Sequence, residues 1–100
     1  MTMALLVALK QGPHGLLLVI TDKNLLGRRI EEGNLQLDLR SQFYQGEEKS
    51  KAEIENLMEK ARDIMFTGKE AVALGIEADL VDIKKILYIK RVPYAQAAFG

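Results

Sequence analysis

The chain has 100 residues, of which 48% are hydrophobic and 28% are charged, a length and composition typical of one folded domain. The absence of cysteine excludes disulfides, thiolate zinc sites and cysteine nucleophiles. Because 14 basic side chains balance 14 acidic ones, the chain also lacks the basic excess of most strong nucleic-acid binders. We therefore expect a single domain over residues 1–100 whose stability comes from packing.

The apolar runs are short. The longest cover residues 3–9 and 16–20, whereas a helix that crosses a bilayer needs about 20 residues. The first residues also lack the basic segment that precedes the apolar part of a secretory signal peptide. We expect a soluble, cytoplasmic protein.

The first half of the chain predicts strands and turns. Residues 4–9 and 16–20 are apolar runs of strand length, and their nearly continuous hydrophobicity indicates strands in the middle of a sheet. Residues 22–27 begin with turn formers and end on glycine, a pattern typical of a short helical turn. Residues 31–34 predict another turn, and residues 35–39 alternate leucine with polar side chains, which predicts a strand with one exposed face.

The second half predicts two helices. Ser50 and Glu53 have the spacing of a capping box, and apolar residues follow at helical spacing as far as Ile64. Residues 67–70 repeat the capping-box pattern, so residues 62–82 predict two capped helices and then a turn into a strand. Asp82 is expected to cap one further turn.

The last part of the chain predicts two more strands, residues 86–89 and residues 94–99. Pro93 places the final strand at the edge of a sheet, because proline cannot donate to a ladder of hydrogen bonds. Together these elements predict an α+β fold, with a mostly antiparallel sheet of about four to six strands and two helices packed on one face.

Two small groups of basic residues are candidates for contacts with RNA phosphates, and nearby aromatic side chains are candidates for stacking on an unpaired base. The candidate RNA-binding or partner-binding residues are Arg28, Arg29, Arg40, Lys90, Arg91, Tyr94 and Gln96. The alternative interpretation is that the arginines are solvated surface residues and the tyrosines cap the core.

Catalytic candidates are few. His14 is the single histidine, and a catalytic or metal site built on it needs further groups from elsewhere in the chain. The glutamate pairs at positions 31–32 and 47–48 lack the spacing of a calcium loop, and the glycines form no phosphate-binding motif. We expect no catalytic residue, no cofactor and no metal ion.

Residues 67–70 and 80–82 resemble a segment of the enoyl-CoA hydratase (crotonase) family. In that family the oxyanion-hole peptides and catalytic carboxylates belong to a much longer sequence upstream. A capped helix followed by a turn into a strand gives the same pattern for folding reasons. The resemblance therefore keeps a small hydrolase or acyl-CoA-binding enzyme as one alternative function.

A second resemblance spans nearly the whole chain. It rests on residues 22–28, 31–33, 43–46, 68–74, 80–82 and 92–96. These segments are similar to those of an archaeal family catalogued as domain of unknown function 424. Arg91 stands where glycine is common in that family, and Tyr94 stands where histidine is common. The resemblance implies a small archaeal protein whose genes often lie beside those of translation and ribosome maturation. The departure at Tyr94 indicates that an imidazole at this position is not indispensable.

The functional hypothesis is a non-enzymatic archaeal ribosome-associated or ribosomal protein that contacts ribosomal RNA or a ribosomal protein. We expect no membrane partner and no small-molecule substrate. The main alternative is a protein-interaction module or small homo-oligomer that adds a strand to the predicted sheet edge. The two hypotheses differ in their dependence on salt, because phosphate contacts weaken as salt rises.

Overall fold

The computed structural model describes residues 5–13 and 15–98. The strands are β1 (Leu5–Gly12), β2 (Gly15–Asp22), β3 (Arg29–Glu32), β4 (Leu35–Asp38), β5 (Glu47–Lys49), β6 (Asp63–Thr67), β7 (Leu87–Ile89) and β8 (Val92–Ala98). The helices are α1 (Lys51–Lys60) and α2 (Lys69–Glu77), and short 3₁₀ turns cover Lys23–Leu25, Gln42–Tyr44 and Ile83–Lys85.

Six strands form one sheet in the order β5-β1-β2-β6-β8-β7, and β3 pairs with β4 as a separate hairpin. The β2–β6 pair is parallel and the other pairs are antiparallel. The predicted α+β fold with a mostly antiparallel sheet is confirmed. The two apolar runs near the start form the β1–β2 hairpin in the interior of the sheet, as expected.

One face of the sheet is covered by both helices. A row of paired residues crosses this face from Val7 through Ile20 and Phe66 to Ala95. These side chains belong to one buried cluster with residues of α1 and α2, and Phe66 has no exposed area. The prediction of two helices on one face is confirmed.

The opposite face carries a second, smaller hydrophobic cluster. It joins the β3–β4 hairpin to the sheet through Leu25, Leu37, Leu39 and Ile89, with Tyr44 and Tyr94 packed against it. The strand predicted at residues 35–39 is confirmed as β4. Glu31 and Glu32 belong to β3, however, so the predicted turn begins only at Gly33, whose φ of 60° suits glycine.

The cap of α1 is the predicted capping box. Ser50 Oγ accepts a hydrogen bond from the Glu53 N–H at 3.2 Å, and Glu53 Oε1 accepts one from the Ser50 N–H at 3.2 Å. The helix ends at Lys60, so the prediction that it continues to Ile64 is wrong. Ile64 lies in β6 because this segment hydrogen-bonds to strands on both sides, β2 and β8, and buries alternate side chains under the helices.

The capping box predicted at residues 67–70 is also wrong. The N-cap of α2 is Gly68, which makes no side-chain cap. Asp22, at the end of the neighbouring strand β2, accepts from the Glu70 N–H at 3.1 Å and from the Ala71 N–H at 2.8 Å. Gly68 has a φ of 108°, and a Cβ on it would lie 2.3 Å from the Asp22 carboxyl carbon. Only glycine allows this approach.

The final strand β8 lies between β6 and β7 over its first part only, and among the described strands residues 95–98 pair with β6 alone. The Gly68 N–H donates to the Pro93 carbonyl at 2.8 Å, so Pro93 faces the β6 side of the ladder, where it accepts a bond. Strand β7 pairs only with the first part of β8, Val92 to Tyr94. Strands β5 and β7 are the outer strands of the sheet, and the predicted edge position of the final strand is confirmed for residues 95–98 but is wrong for Tyr94, which pairs with Leu87.

The two predicted short turns are confirmed. A 3₁₀ turn follows Asp22, and Asp82 caps another, accepting from the Lys84 N–H at 2.9 Å. Among the described residues, α1 is the longer helix, and neither helix is long and apolar enough to cross a membrane.

Candidate functional site

A cavity of about 240 Å³ opens at the end of the sheet where the parallel strands β2 and β6 finish. Four basic residues line it: Arg28, Lys69, Lys90 and Arg91. Asp22 and Asn24 complete its polar lining, and we call this site the basic cavity. The space outside the carboxyl ends of parallel strands is a common place for ligands in open sheets.

A strained turn presents two of these cations. Lys90 and Arg91 form the two-residue connection between β7 and β8, with φ values of 50° and 69°. Such turns favour Asn-Gly, because both central residues need positive φ. The Lys90 N–H donates to Glu32 Oε1 at 3.3 Å, which ties the turn to β3. Backbone strain of this kind concentrates at functional sites.

The other two cations are held by the ends of regular elements. The Arg28 backbone is fixed against Leu39, because the Gly27 N–H donates to the Leu39 carbonyl at 2.8 Å and the Leu39 N–H donates to the Arg28 carbonyl at 2.8 Å. Lys69 is the first residue of α2, immediately after Gly68. Both side chains are exposed, so they are accessible at the mouth of the cavity.

The basic cavity keeps its positive charge. Within residues 5–13 and 15–98, no ion pair or side-chain hydrogen bond involves the side chains of its four cations. Asp22 is the acidic residue in its lining, and burial raises the pKa of its carboxyl group, although hydrogen bonds from the Glu70 and Ala71 N–H groups oppose that rise. Four cations against one carboxylate attract an anion.

Of the remaining predicted arginines, Arg29 lies in β3 and Arg40 lies just after β4, and both are in ion pairs. Arg29 pairs with Glu31 and donates a long hydrogen bond to Gln36. Arg40 forms a bidentate pair with Asp38, at 2.8 Å and 2.9 Å. Neither lines the basic cavity. The sequence left open whether the two basic groups share one face. The structure brings Arg28 together with the Lys90–Arg91 pair and leaves the hairpin arginines outside.

Tyr94 and Gln96 also lie apart from the cations. Tyr94 is half-buried and packs in the second hydrophobic cluster with Leu25 and Val92, which themselves line the basic cavity. It therefore supports the cavity wall. Gln96 is exposed on β8 beyond the end of β7, where it lines two other cavities, of about 240 Å³ and about 260 Å³.

Two residues of the basic cavity were missed at the level of sequence. Lys69 was interpreted as an interior position of a capping box, and Asn24 as part of a helical turn. The signal for Lys69 is its place directly after a glycine at the start of a helix. Its approach to Arg28 and Arg91 depends on strand order, which no local pattern reveals.

The structure offers little for the catalytic candidates. His14 lies outside the described residues. Within residues 5–13 and 15–98, no three His, Cys, Asp or Glu side chains are grouped so that they could hold a metal ion. The crotonase-like residues 67–70 and 80–82 form the end of β6, the start of α2 and the turn after that helix.

Comparisons with known proteins identify a family and a similar solved structure. The model of a family described as "Protein of unknown function (DUF424)" matches residues 9–98. The crystal structure of an uncharacterized conserved protein from Methanopyrus kandleri is similar, with a TM-score of 0.78 and 18% sequence identity over 97% of this chain and 94% of that chain. No curated protein matches the chain. At this identity the similar structure establishes the fold alone.

Proposed function

The chain belongs to the DUF424 family of proteins of unknown function, and we propose that it is a non-enzymatic RNA-binding protein of the translation machinery. In this proposal it associates with the ribosome by holding RNA phosphates in the basic cavity. The observation that carries the proposal is the convergence of four unpaired basic side chains on one cavity of about 240 Å³, within the described part of the chain.

Charge placement explains how a neutral chain can bind an anion. The formal net charge is zero, so long-range attraction to RNA is weak and binding depends on the local field. The basic cavity concentrates four cations beside one carboxylate. Lysine and arginine side chains in such a cluster contact phosphate oxygens and make binding dependent on salt.

The strained turn at Lys90 and Arg91 supports the same function. Each left-handed residue other than glycine costs on the order of 1 kcal/mol or more, and the chain has two in succession. Both side chains line the basic cavity. A turn optimised for stability alone would have glycine at position 91, as the resemblance places it. A basic ligand-binding role for Arg91 accounts for the cost.

The experiment is sedimentation of tagged protein from cell extract on sucrose gradients at low and at high salt. One variant replaces the four cavity cations with alanine (R28A/K69A/K90A/R91A). The matched control removes four cations that are in ion pairs (K23A/R29A/R40A/K51A). The two variants have the same net charge, so they separate the basic cavity from charge in general.

We expect the parent protein and the control variant to comigrate with a ribosomal subunit at low salt, and the cavity variant to remain at the top. With a purified single-stranded RNA, the binding constant of the cavity variant should depend less on salt. The slope of log K against log salt should be less steep by about 3, since four contacts contribute about 0.7 each. Equal loss in both variants would contradict a role for the cavity. Association that survives high salt in the cavity variant would favour the protein-interaction module instead.

A further inference from the structure

The basic cavity contains hydrogen-bond acceptors as well as cations. Asn24 lies in the 3₁₀ turn that follows β2, and its exposed side chain lines the cavity beside Asp22. In the described part of the chain no hydrogen bond occupies the Asn24 amide. An amide of this kind offers both a donor N–H₂ and an acceptor oxygen.

The start of α2 does not bind the anion itself. Asp22 already accepts from the Glu70 and Ala71 N–H groups, so these groups are not available to a phosphate. An incoming phosphate must be held by side chains at the mouth of the cavity, with the Asp22 carboxylate on the wall nearby. The Asp22 carboxylate repels a phosphate, so the acceptor oxygens of Asp22 and Asn24 favour a ligand that has a hydrogen-bond donor beside its phosphate.

RNA supplies the missing donor. Each ribose has a 2′-hydroxyl close to its own 3′-phosphate, and this group donates and accepts hydrogen bonds. We propose that the basic cavity binds a ribose 3′-phosphate unit of RNA, with the phosphate held by the cations and the 2′-hydroxyl donating to the Asn24 side-chain oxygen. This inference rests on the proposed RNA-binding function and specifies which part of the RNA enters the site.

The size of the site agrees with one backbone unit. Pockets for drug-sized ligands enclose about 300–1,000 Å³, and the basic cavity encloses about 240 Å³. In this proposal a sugar and its phosphate enter the cavity, and the base remains outside. The recognition is then specific for RNA over DNA and tolerant of base sequence.

The test compares three fluorescent single-stranded oligonucleotides of one sequence, made as RNA, DNA and 2′-O-methyl RNA, by anisotropy at one fixed low salt concentration. The proteins are the parent, Asn24→Ala and the matched control Asn56→Ala, an exposed asparagine on α1. For the parent and the control we expect RNA to bind on the order of tenfold more tightly than DNA or 2′-O-methyl RNA. In Asn24→Ala the preference for RNA over DNA should disappear, because the RNA affinity falls to that of DNA for the same variant.

The possible outcomes distinguish the ribose assignment from the proposed RNA-binding function on which it rests. Equal, salt-dependent binding of RNA and DNA by the parent protein would overturn the ribose assignment and leave the phosphate-binding proposal standing. An RNA preference that persists in Asn24→Ala would also overturn the assignment. Absence of binding to any of the three oligonucleotides would remove the proposed function itself.

Discussion

The basic cavity and the β3–β4 hairpin both contain basic side chains, but only those of the cavity are available to a ligand. Arg28 and Arg29 are adjacent in sequence, yet Arg28 lines the cavity and Arg29 pairs with Glu31. In and next to the hairpin, each arginine forms an ion pair with a carboxylate two residues away: Arg29 with Glu31, and Arg40 with Asp38. Local pairing neutralises the hairpin, whereas the cavity cations come from distant segments that carry no such partners.

The largest expected effect concerns the glycines of the two regions. Gly68 and Gly33 both have positive φ, but a Cβ on Gly68 meets the Asp22 carboxyl group, and a Cβ on Gly33 meets nothing within 4 Å. Gly68→Ala should lower the free energy of unfolding by about 3 kcal/mol or more, because it combines backbone strain with loss of the α2 cap. Gly33→Ala should cost about 1 kcal/mol.

Urea unfolding of the two glycine variants measures this difference. Similar losses in both variants would mean that Asp22 and Gly68 do not form the rigid junction that supports the cavity. A variant of the cap itself, Asp22→Ala, should lose about 1–2 kcal/mol. It keeps Gly68, so it distinguishes the cap from the backbone strain.

The next largest expected effect concerns the strained turn at Lys90 and Arg91. Replacing Lys90 and Arg91 with the preferred dipeptide (K90N/R91G) should raise the free energy of unfolding by about 1 kcal/mol. The same variant should bind RNA more weakly, because it loses two cations of the basic cavity. The control K90A/R91A removes the same two charges without supplying residues suited to positive φ. It should lose the same affinity with no gain in stability. If K90N/R91G is no more stable than K90A/R91A, the turn does not store strain.

Much of the fold follows from local sequence patterns. The β1–β2 hairpin, the capping box of α1 and the turn capped by Asp82 depend on residues close together in the chain, and each was predicted. Strand β6 was not, because Ile64 fits both a helical spacing and a strand alternation. Its pairing with β2 and β8 decided between the two.

The residues of the basic cavity show the same difference between what local sequence patterns predict and what long-range pairing decides. Arg28, Lys90 and Arg91 were candidates from sequence, but Lys69 was missed because the cap of α2 comes from Asp22, 48 residues before Glu70. Glu31 and Asp38 stand two positions from Arg29 and Arg40 in the sequence, and this spacing is the local signal for the ion pairs that the structure shows. Which cations share a cavity depends on strand order, and only the folded chain provides that.

The smallest effect is a pH dependence of opposite sign in the two regions. Burial raises the pKa of Asp22 above its ordinary value of 3.8, so the folded protein binds this proton more tightly than the unfolded chain does. Its contribution to stability therefore falls as pH rises from 3.8 through the raised value. The hydrogen bonds from Arg40 lower the pKa of Asp38 to about 2, so its contribution is present above 3.8 and is lost as pH falls towards 2.

Thermal unfolding of Asp38→Asn and Asp22→Asn across this pH range tests the two signs. Asp38→Asn should lose less stability than the parent between pH 3.8 and about 2, since it has no carboxylate to protonate. Asp22→Asn should instead gain relative to the parent as pH rises above 3.8, because it removes a buried group that must ionise. Arg40→Ala should reproduce the Asp38→Asn profile, because the low pKa of Asp38 depends on that guanidinium. If Asp38→Asn runs parallel to the parent, the ion pair does not persist in solution, and the contrast between a neutralised hairpin and a charged cavity loses its basis.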